Sequence, residues 1–459
     1  MNKTIIKYHF SIKSEEELDK LSHNELLKYI KNLQDNIVQQ KPPKNSTNSG
    51  IPTSKEIATP KKNQSIRKKG GKNGAQFGHV GKTLKQSDTP DEIIDIKYTL
   101  NSCKKCNYDL SNILAGLKEK RQILDLDIKA TNQKIIQYQS YSKVCPKCGH
   151  NNHDNSYPKR VIPNISYGKN IMAIVSYLSV VHYLSYTRIV EALQTMYNIT
   201  ISQGSVDSLI KRASKLSKSQ INEIVSQLEL SDIVGIDETG AKVNGKKDWH
   251  WTFQNDSCTY IVHSPSRAAK VINENFSNGF QNATVVHDNF RVYDTLNCKD
   301  EQLCLAHKLR DLNYAIECDN TQVMKDIKSL LLEAMIVHKE ELNQSQRIYL
   351  KIQYVTKLDK LLDTQTIPKS ETHKQIKSFK KALDKIFTFL LYPNVPPDNN
   401  GSERAIRNIK VKQKVSHQYK SPQGAKDYAI LRSVIDTARK RDMNEFETIR
   451  DIVSGKSIF

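Results

Sequence analysis

Four short apolar segments in the second half of the chain constrain its fold more than any other feature. In chain order they are DIVGID, WHWTFQ, TYIVHS and ATVVHD. Each is rich in β-branched or aromatic residues and is typical of a buried β-strand. The middle two are predicted to pair as a hairpin. Between the third and fourth, SRAAKVINENF predicts a helix, and EQLCLAH follows as a candidate fifth strand.

The order of these segments indicates an α/β domain with a ribonuclease-H-like sheet, in which the first and fourth strands are neighbours. Asp237 ends the first segment and Asp288 ends the fourth. We therefore expect each aspartate at the exit of its strand, with the two carboxylates facing each other. A single Asp after a strand is more often a turn residue than a ligand, but a pair in this order is much more specific.

Phosphoryl transfer is a chemistry that needs such a pair of acids. Two Mg²⁺ ions about 4 Å apart stabilise the attacking and leaving oxygens in line, and Mg²⁺ prefers carboxylate oxygens. Glu403, in the first turn of a helix opened by PPDNNGSER, is the best candidate for a third ligand. Asp398 or Asn400 is expected to cap that helix. Alternatively, Glu403 is a surface partner of Arg407, and Glu238 or Asp398 would then be the next candidates.

The charge of the chain predicts a polyanionic partner. The formal net charge is +21, and Lys and Arg gain affinity for nucleic acid by releasing phosphate counterions. An anionic membrane surface is the second candidate. A Pro-, Gly-, Ser- and Lys-rich segment follows the first helix and is interpreted as a flexible basic arm on DNA, or otherwise as a solvated linker. The residues expected to contact phosphate are Arg67, Lys68, Lys69 and Lys72 in this arm, and Arg404, Arg407 and Lys410 on the helix of Glu403.

Two CxxC pairs, Cys103–Cys106 and Cys145–Cys148, lie about forty residues apart. Zinc prefers four soft ligands in a tetrahedron, and each CxxC turn supplies two thiolates. The spacing therefore predicts a structural Zn²⁺ in a zinc ribbon, with a β-hairpin between the pairs. The alternative is four unrelated reduced Cys. The other four show no ligand spacing and are interpreted mostly as small core residues: Cys258, Cys298, Cys304 and Cys318.

The first helix is predicted from Ser14 to about Gln40. Its apolar residues alternate four and three apart, as in a short coiled-coil seam: Leu26, Ile30, Leu33 and Ile37. Ser22 and Glu25 form a candidate capping box within it. Packing against the rest of its own chain explains the same pattern equally well.

A second helical feature precedes the strands. The segments Tyr186–Tyr197 and Ser205–Lys215 predict two helices joined by NITISQG, with Ser202 as a cap. The pair resembles a helix-turn-helix, whose recognition face would carry Gln203, Ser205, Ser208 and Lys211. Helix–helix packing explains the apolar residues just as well, and we favour it because turn-linked helix pairs are common in ordinary folds. Those residues are Ile189, Leu193, Val206 and Ile210.

The whole chain is predicted to contain several regions. They are an N-terminal helix (1–40), a flexible basic arm (41–89), a zinc-ribbon-like segment (90–165), a helical DNA-binding or connector region (166–230), a catalytic domain (231–415) with a helical insertion at about 318–391, and a C-terminal helical tail (416–459). No secretory signal or bilayer-spanning run is present in the sequence. A cytoplasmic protein is therefore expected, with Cys residues as thiols or metal ligands.

In its motifs, the sequence resembles the insertion sequence 66 transposases over nearly the whole chain. The matching strings include VGIDETG, VVHDNFRVYD, CLAHKLRDL, VPPDNNGSERAIRNIKV and YAILRSVIDTARKR. The resemblance implies a DDE triad at Asp237, Asp288 and Glu403, and an all-helical insertion before Glu403. His307 and Arg310, in CLAHKLRDL, match a family motif near the active site. In the alternative interpretation, His307 is a core histidine.

Three hypotheses follow. In the first, the protein is an enzyme that uses Mg²⁺ or Mn²⁺ to cleave the ends of a mobile element and join the 3′-hydroxyl to target DNA. In the second it is a DNA-binding regulator without catalysis, which gives no reason for the three acids. In the third it is a structure-selective nuclease on the same fold. For the enzyme we expect a homo-oligomer on DNA, helper proteins from the same element, and no membrane partner.

Overall fold

The computed structural model describes residues 15–39, 142–144, 151–153 and 167–459, together with Pro42, Lys44, Asn45 and Asn48. Two three-residue strands, β1 (Ser142–Val144) and β2 (Asn151–His153), pair antiparallel. They flank the second predicted Cys pair, whose residues lie outside the described part of the chain.

At the start of the chain, two helices replace the single predicted one. They are α1 (Glu15–Leu18) and α2 (His23–Gln39). Between them, the backbone N–H and the hydroxyl of Ser22 both donate to Glu25 Oε2, at 3.0 and 2.7 Å. The predicted pairing of Ser22 with Glu25 is therefore confirmed, but it lies at the start of a helix rather than inside one.

The region 166–230 is helical, as predicted, and it contains α3 (Lys169–Val180), α4 (Tyr186–Tyr197), α5 (Gln203–Leu216) and α6 (Lys218–Glu229). Ser202 caps α5, since its hydroxyl accepts the Ser205 N–H at 3.0 Å. The four apolar residues that suggested packing of α4 on α5 are all buried. Their burial supports the packing interpretation of this helix pair.

A five-stranded mixed sheet forms the centre of the fold. Its strands are β3 (Ile233–Val243), β4 (Lys246–Gln254), β5 (Thr259–Ser264), β6 (Phe280–His287) and β7 (Cys298–Leu303). In the sheet they follow the order β5-β4-β3-β6-β7. β3 is antiparallel to β4 and parallel to β6. The first and fourth strands are therefore neighbours, as predicted, and the chain is an α/β protein.

β3 extends beyond Asp237, so the prediction that the strand ends at this residue was wrong. β3 runs on to Val243, so Asp237 lies within the strand rather than at its exit. The reason is the turn Asn244–Gly245, whose φ angles are 46° and 78°. Two residues with positive φ make the tight turn that suits a β-hairpin, and Asn-Gly is a strong signal for it. β3 therefore pairs with β4 from Gly235, opposite Gln254, up to this turn.

Two further segments differ from the prediction in their limits. The helix between β5 and β6, α7 (Lys270–Asn275), is shorter than the predicted one. EQLCLAH is not one strand, because its first part ends β7 and its last part opens the next helix. A 3₁₀ helix, Arg291–Thr295, follows β6.

A helical region separates β7 from Glu403. It contains α8 (Leu305–Asp319), α9 (Gln322–Val337), α10 (Gln344–Leu362), α11 (Glu371–Lys381), α12 (Leu383–Ile386) and a 3₁₀ helix, Thr388–Leu391. These helices share an apolar core that includes Leu331, Leu358 and Phe387. The core reaches the sheet at Val286.

Three helices complete the chain: α13 (Asn400–Ser416), α14 (Pro422–Lys440) and α15 (Glu445–Val453). The N-cap of α13 is Asn399, and within the part of the chain that the structure describes no side-chain hydrogen bond caps the helix. The prediction that Asp398 or Asn400 caps it was therefore wrong, although Asp398 Oδ1 accepts the Asn400 N–H at 3.0 Å. α14 lies along the edge strand β5, where its Ser433 hydroxyl accepts the Ile261 N–H at 2.8 Å. Such cover protects an edge strand from pairing with another chain. Among the described helices, none has the length and apolarity needed to cross a membrane.

Candidate active site

Asp237 and Asp288 lie where two parallel strands separate. β3 pairs with β6 over residues 233–235, opposite residues 284–286. Past this point β3 continues, whereas β6 ends at His287. Because paired residues advance together along parallel strands, extending the register by two residues brings Asp237 level with Asp288.

Negative charge is concentrated around Asp237. Burial, and then the charges of Glu238 and Asp288, raise the pKa of the Asp237 carboxyl to about 8. The Glu238 backbone N–H donates to Asp237 Oδ1 at 2.8 Å and opposes this rise. Asp288 Oδ1 accepts the N–H of Phe290 at 3.0 Å, which fixes the turn after β6. A cation here would relieve both the burial of charge and the repulsion between carboxylates.

Glu403 lies in the first turn of α13 and faces α8. Its Oε1 is 3.4 Å from His307 Nε2 and 3.8 Å from Arg310 Nη2. The hydrogen bond with His307, aided by the charge of Arg310, holds the pKa of Glu403 below its usual value despite burial. The same hydrogen bond raises the pKa of His307. The ion pairs of Glu403 are thus with α8 rather than with Arg407, and they keep its carboxylate ionised.

Asn399 joins the segments that carry these residues. Its Nδ2 donates to Ile236 O in β3 at 2.7 Å, and its Oδ1 accepts the Ser402 hydroxyl at 2.7 Å. Its backbone N–H donates to Cys304 Sγ, just before α8, at 3.2 Å. Its carbonyl accepts the Glu403 N–H at 3.1 Å. One buried asparagine therefore ties the start of α13 both to α8 and to the strand residue beside the first aspartate.

Two glycines allow α13 to approach β3 closely. A Cβ on Gly235 would stand 2.8 Å from Asn399 Oδ1, and a Cβ on Gly401 would stand 2.5 Å from Gln254 Nε2. Side chains at these positions would displace the side chains of Asn399 and Gln254, which lie between the start of α13 and the sheet. Residues two apart in a strand share a face, so α13 carries Glu403 to the face of β3 that also bears the first aspartate.

The donor type of these acids suits Mg²⁺ or Mn²⁺, which prefer carboxylate oxygens. The crowding of Asp237 by Asp288 and Glu238 also fits a region that receives a cation. Within the described residues, however, no group of three or more His, Cys, Asp or Glu side chains is arranged to hold a metal ion. Glu403 contacts His307 and Arg310 instead, so its approach to the aspartates belongs to the proposal below.

The basic residues predicted on α13 are exposed along the helix: Arg404, Arg407 and Lys410. Lys410 Nζ also donates to Gly240 O at 3.1 Å, while Ile409 is buried. The other predicted site residues lie outside the described part of the chain. They are Cys103, Cys106, Cys145 and Cys148 of the zinc ribbon, and Arg67, Lys68, Lys69 and Lys72 of the basic arm.

An ion pair between Glu238 and Arg267 lies beside these acids and was not predicted from the sequence. Glu238 Oε1 accepts hydrogen bonds from Arg267 Nε at 2.9 Å and Nη2 at 2.5 Å, and its Oε2 accepts the Tyr293 hydroxyl. Both carboxylate oxygens of Glu238 are therefore engaged, which makes it a poor alternative for the third metal ligand. The two charges are 29 residues apart in sequence. No local spacing links them, because their contact depends on how the loop after β5 folds back onto β3.

The sequence matches a known protein family. A family model described as Transposase IS66 family matches residues 164–427, more than half of the chain. The matched range contains the five-stranded sheet, the helices from α8 to α13, and all three candidate acids. No curated protein matches the sequence.

Proposed function

Since this chain belongs to the IS66 family of transposases, we propose that it cleaves the ends of its own mobile element and joins the exposed 3′-hydroxyl to target DNA. One observation carries the proposal. Asp237 and Asp288 follow the paired parts of two neighbouring parallel strands, and α13 docks the Glu403 segment onto the same strand through Asn399.

The proposed catalytic fold is ribonuclease-H-like. The strand order β5-β4-β3-β6-β7, with an antiparallel meander continuing into a parallel pair on the other side, supports it. The helices between β7 and α13 correspond to the proposed all-helical insertion. The placement of the third acid on a helix after this insertion also agrees with a DDE arrangement.

In the proposed mechanism, Asp237 and Asp288 would ligate the metal ions, and Glu403 would complete one metal site. When bound, Mg²⁺ or Mn²⁺ would neutralise charge on the scissile phosphate and on the attacking and leaving oxygens. The two strands hold the aspartates rigidly, which reduces the reorganisation needed on binding. His307 and Arg310 keep Glu403 ionised and orient it from α8.

DNA binding in this proposal rests on basic residues at two places. Arg404, Arg407 and Lys410 extend from the candidate active site along α13, and the basic arm would follow the DNA backbone. The role of the arm can be tested by deletion of residues 61–82, which should weaken DNA binding and flatten its salt dependence. Unchanged affinity and slope would make the segment a linker.

The proposed zinc ribbon is a separate structural element. One Zn²⁺ per chain, held by the four Cys of the two CxxC pairs, should appear in elemental analysis of protein purified without a metal-binding tag. The double variant Cys145→Ser, Cys148→Ser should lose it. An unchanged zinc content would contradict the ribbon.

A strand-transfer assay tests the function itself. Labelled DNA carrying the inverted repeats that flank the gene is incubated with the protein, a target plasmid and Mg²⁺. We expect cleavage at the repeat, followed by a joined product. Cleavage without joining would identify a structure-selective nuclease on the same fold. Binding without cleavage in either Mg²⁺ or Mn²⁺ would identify a regulator.

A further inference from the structure

Arg267 is held rigidly at the rim of the candidate active site. It lies in the loop after β5 and gives two hydrogen bonds to Glu238, whose own side chain is 1% exposed. Its Cζ lies 4.5 Å from the Trp249 ring centroid and 3.9 Å from that of Phe290. Two aromatic contacts and the two hydrogen bonds along one edge hold the guanidinium in place.

The loop that carries Arg267 is also fixed. Trp251 Nε1 donates to Ser266 O at 3.1 Å. Ser264 Oγ accepts the Ser266 N–H at 3.1 Å, and Ser266 Oγ accepts the Ala268 N–H at 3.2 Å. The arginine is thus presented by an ordered loop rather than by a freely moving one.

One part of this arginine remains available to a ligand. Its side chain is 40% exposed although it is bound on three sides. Nε and Nη2 are engaged, and Nη1 has no hydrogen-bond partner among the described residues. Two further cationic residues lie beside its aromatic partners, since Lys247 Nζ lies 4.7 Å from the Trp249 ring centroid and the exposed Arg291 follows Phe290 in sequence.

We propose that Arg267 binds a backbone phosphate of the DNA strand that approaches the candidate active site. A planar guanidinium with a free N–H edge matches phosphate oxygens. Glu238 is the positioning residue, since it holds the guanidinium through Oε1 while Tyr293 holds Oε2. This inference rests on the proposed function for its substrate, but its test does not require DNA cleavage.

The position of Arg267 relative to the acids supports this choice of ligand. Its partner Glu238 follows Asp237 in β3, and Phe290 lies in the turn fixed by Asp288. Alternation along β3 sends the side chains of residues 237 and 238 to opposite faces. Arg267 therefore lies across β3 from Asp237. A DNA strand that passes the end of β6 would have one phosphate at the aspartates and another at Arg267.

The first experiment measures binding of a fluorescein-labelled DNA duplex in EDTA over a range of salt concentrations. The variant is Arg267→Gln with Glu238→Gln, because the second change avoids a buried unpaired carboxylate. We expect affinity to fall about tenfold and the slope of log affinity against log salt to shrink by about 0.9, the loss of one phosphate contact. Arg267→Lys, which keeps the charge, should retain most of the slope.

The matched control is Arg439→Gln with Glu445→Gln. Arg439 Nε is 2.6 Å from Glu445 Oε1, and its side chain is 49% exposed, so this pair has similar chemistry and exposure. The control should leave affinity and slope at wild-type values. If the Arg267 variant behaves like the control, Arg267 only compensates the buried charge of Glu238, and the proposal is wrong.

A second measurement uses the wild-type protein and is independent of any folding defect. Phenylglyoxal modifies accessible arginines, and peptide mass spectrometry gives the rate at each one. The DNA duplex should slow modification of Arg267 several-fold and leave Arg439 unchanged. Equal rates with and without DNA would overturn the proposal. Protected Arg267 in a protein that never cleaves would refute the proposed function and leave this inference standing.

Discussion

The buried Arg432–Asp436 ion pair of α14 and the acidic residues around Asp237 in β3 differ in how their charges are compensated. In α14, the side chain of Arg432 is 0% exposed. Its Nε and Nη2 donate to the two carboxylate oxygens of Asp436, and its Nη1 donates to Val180 O at 3.4 Å. Around Asp237, the charges that act on the carboxyl most strongly are those of two other acids, Glu238 and Asp288.

Under the proposed function, this difference separates a structural use of buried charge from a catalytic one. In a buried ion pair, each charge is compensated by its partner and no ligand is required. Removing one partner leaves the other charge buried and unpaired, which destabilises the fold. Acids that repel one another in a buried region destabilise the fold until a cation arrives. Changes to α14 should therefore act on stability, and changes to the acids should act on chemistry.

The largest expected effect is on catalysis. Asp237→Asn, Asp288→Asn and Glu403→Gln keep the size of each side chain and remove the charge that would hold the metal. Each should lower DNA cleavage by about a thousandfold or more, and to similar extents, because the residues act as one unit. Gel shifts on the same preparations should show that DNA binding persists, and melting temperatures should not fall.

Asp232→Asn is the matched control for these variants, because Asp232 is an exposed aspartate just before β3. It should cleave DNA at the wild-type rate. Wild-type cleavage by Glu403→Gln would show that another carboxylate completes the site. Full activity in either aspartate variant would contradict the two-metal mechanism.

The next largest effect is on stability. Arg432→Met should lower the free energy of unfolding by about 3–5 kcal/mol, because Asp436 is left buried and unpaired. Replacing both residues, as Arg432→Met with Asp436→Leu, should recover much of the loss. The chain has two tryptophans, Trp249 and Trp251, both in β4, so tryptophan fluorescence during urea unfolding reports on the sheet. A loss of less than about 1 kcal/mol in the free energy of unfolding would show that this ion pair stabilises the fold no more than a typical surface ion pair.

A smaller effect should follow from loosening the link between α13 and β3. Asn399→Ala removes the side-chain contacts with Ile236 and Ser402. Misplacement of Glu403 should lower the single-turnover cleavage rate about a hundredfold, with DNA affinity unchanged. Asn400→Ala, at the exposed neighbouring position, is the control. Equal rates for the two variants would show that Asn399 does not position the acid.

The smallest effect concerns pH. His250 is 0% exposed, and burial, then the nearby charges of His263 and Lys410, lower its pKa to about 3. The unfolded chain takes up a proton at this residue near pH 6.5, whereas the folded chain does not. Stability from neutral His250 is therefore complete above pH 6.5 and declines as the pH falls towards 3. Between pH 6.5 and 5 the loss should be about 1.5 kcal/mol.

His250→Gln should flatten this part of the pH profile, and His23→Gln, at an exposed position of α2, should not. The measurement is urea unfolding followed by tryptophan fluorescence at each pH. An unchanged profile for His250→Gln would show that this histidine is not buried in its neutral form.

The local patterns of the sequence were enough to predict the strands, their order and the helices before Glu403. Apolar runs and turn residues are local signals, and Asn244–Gly245 would also have given the correct end of β3. The residues that contact these acids were harder to predict from the sequence. His307 came only from a family resemblance, and Arg267 was missed, because a contact between distant segments depends on tertiary packing rather than on spacing.

The link between α13 and β3 also has a consequence during protein synthesis. Asn399 reaches back to Ile236, which the ribosome makes 163 residues earlier. Both aspartates therefore leave the ribosome well before Glu403 exists, and this link can form only after the start of α13 has been made. Domains of nascent chains fold progressively as they emerge. Under the proposed mechanism, a product of premature termination before Glu403 would carry two of the three acids and would not cleave DNA.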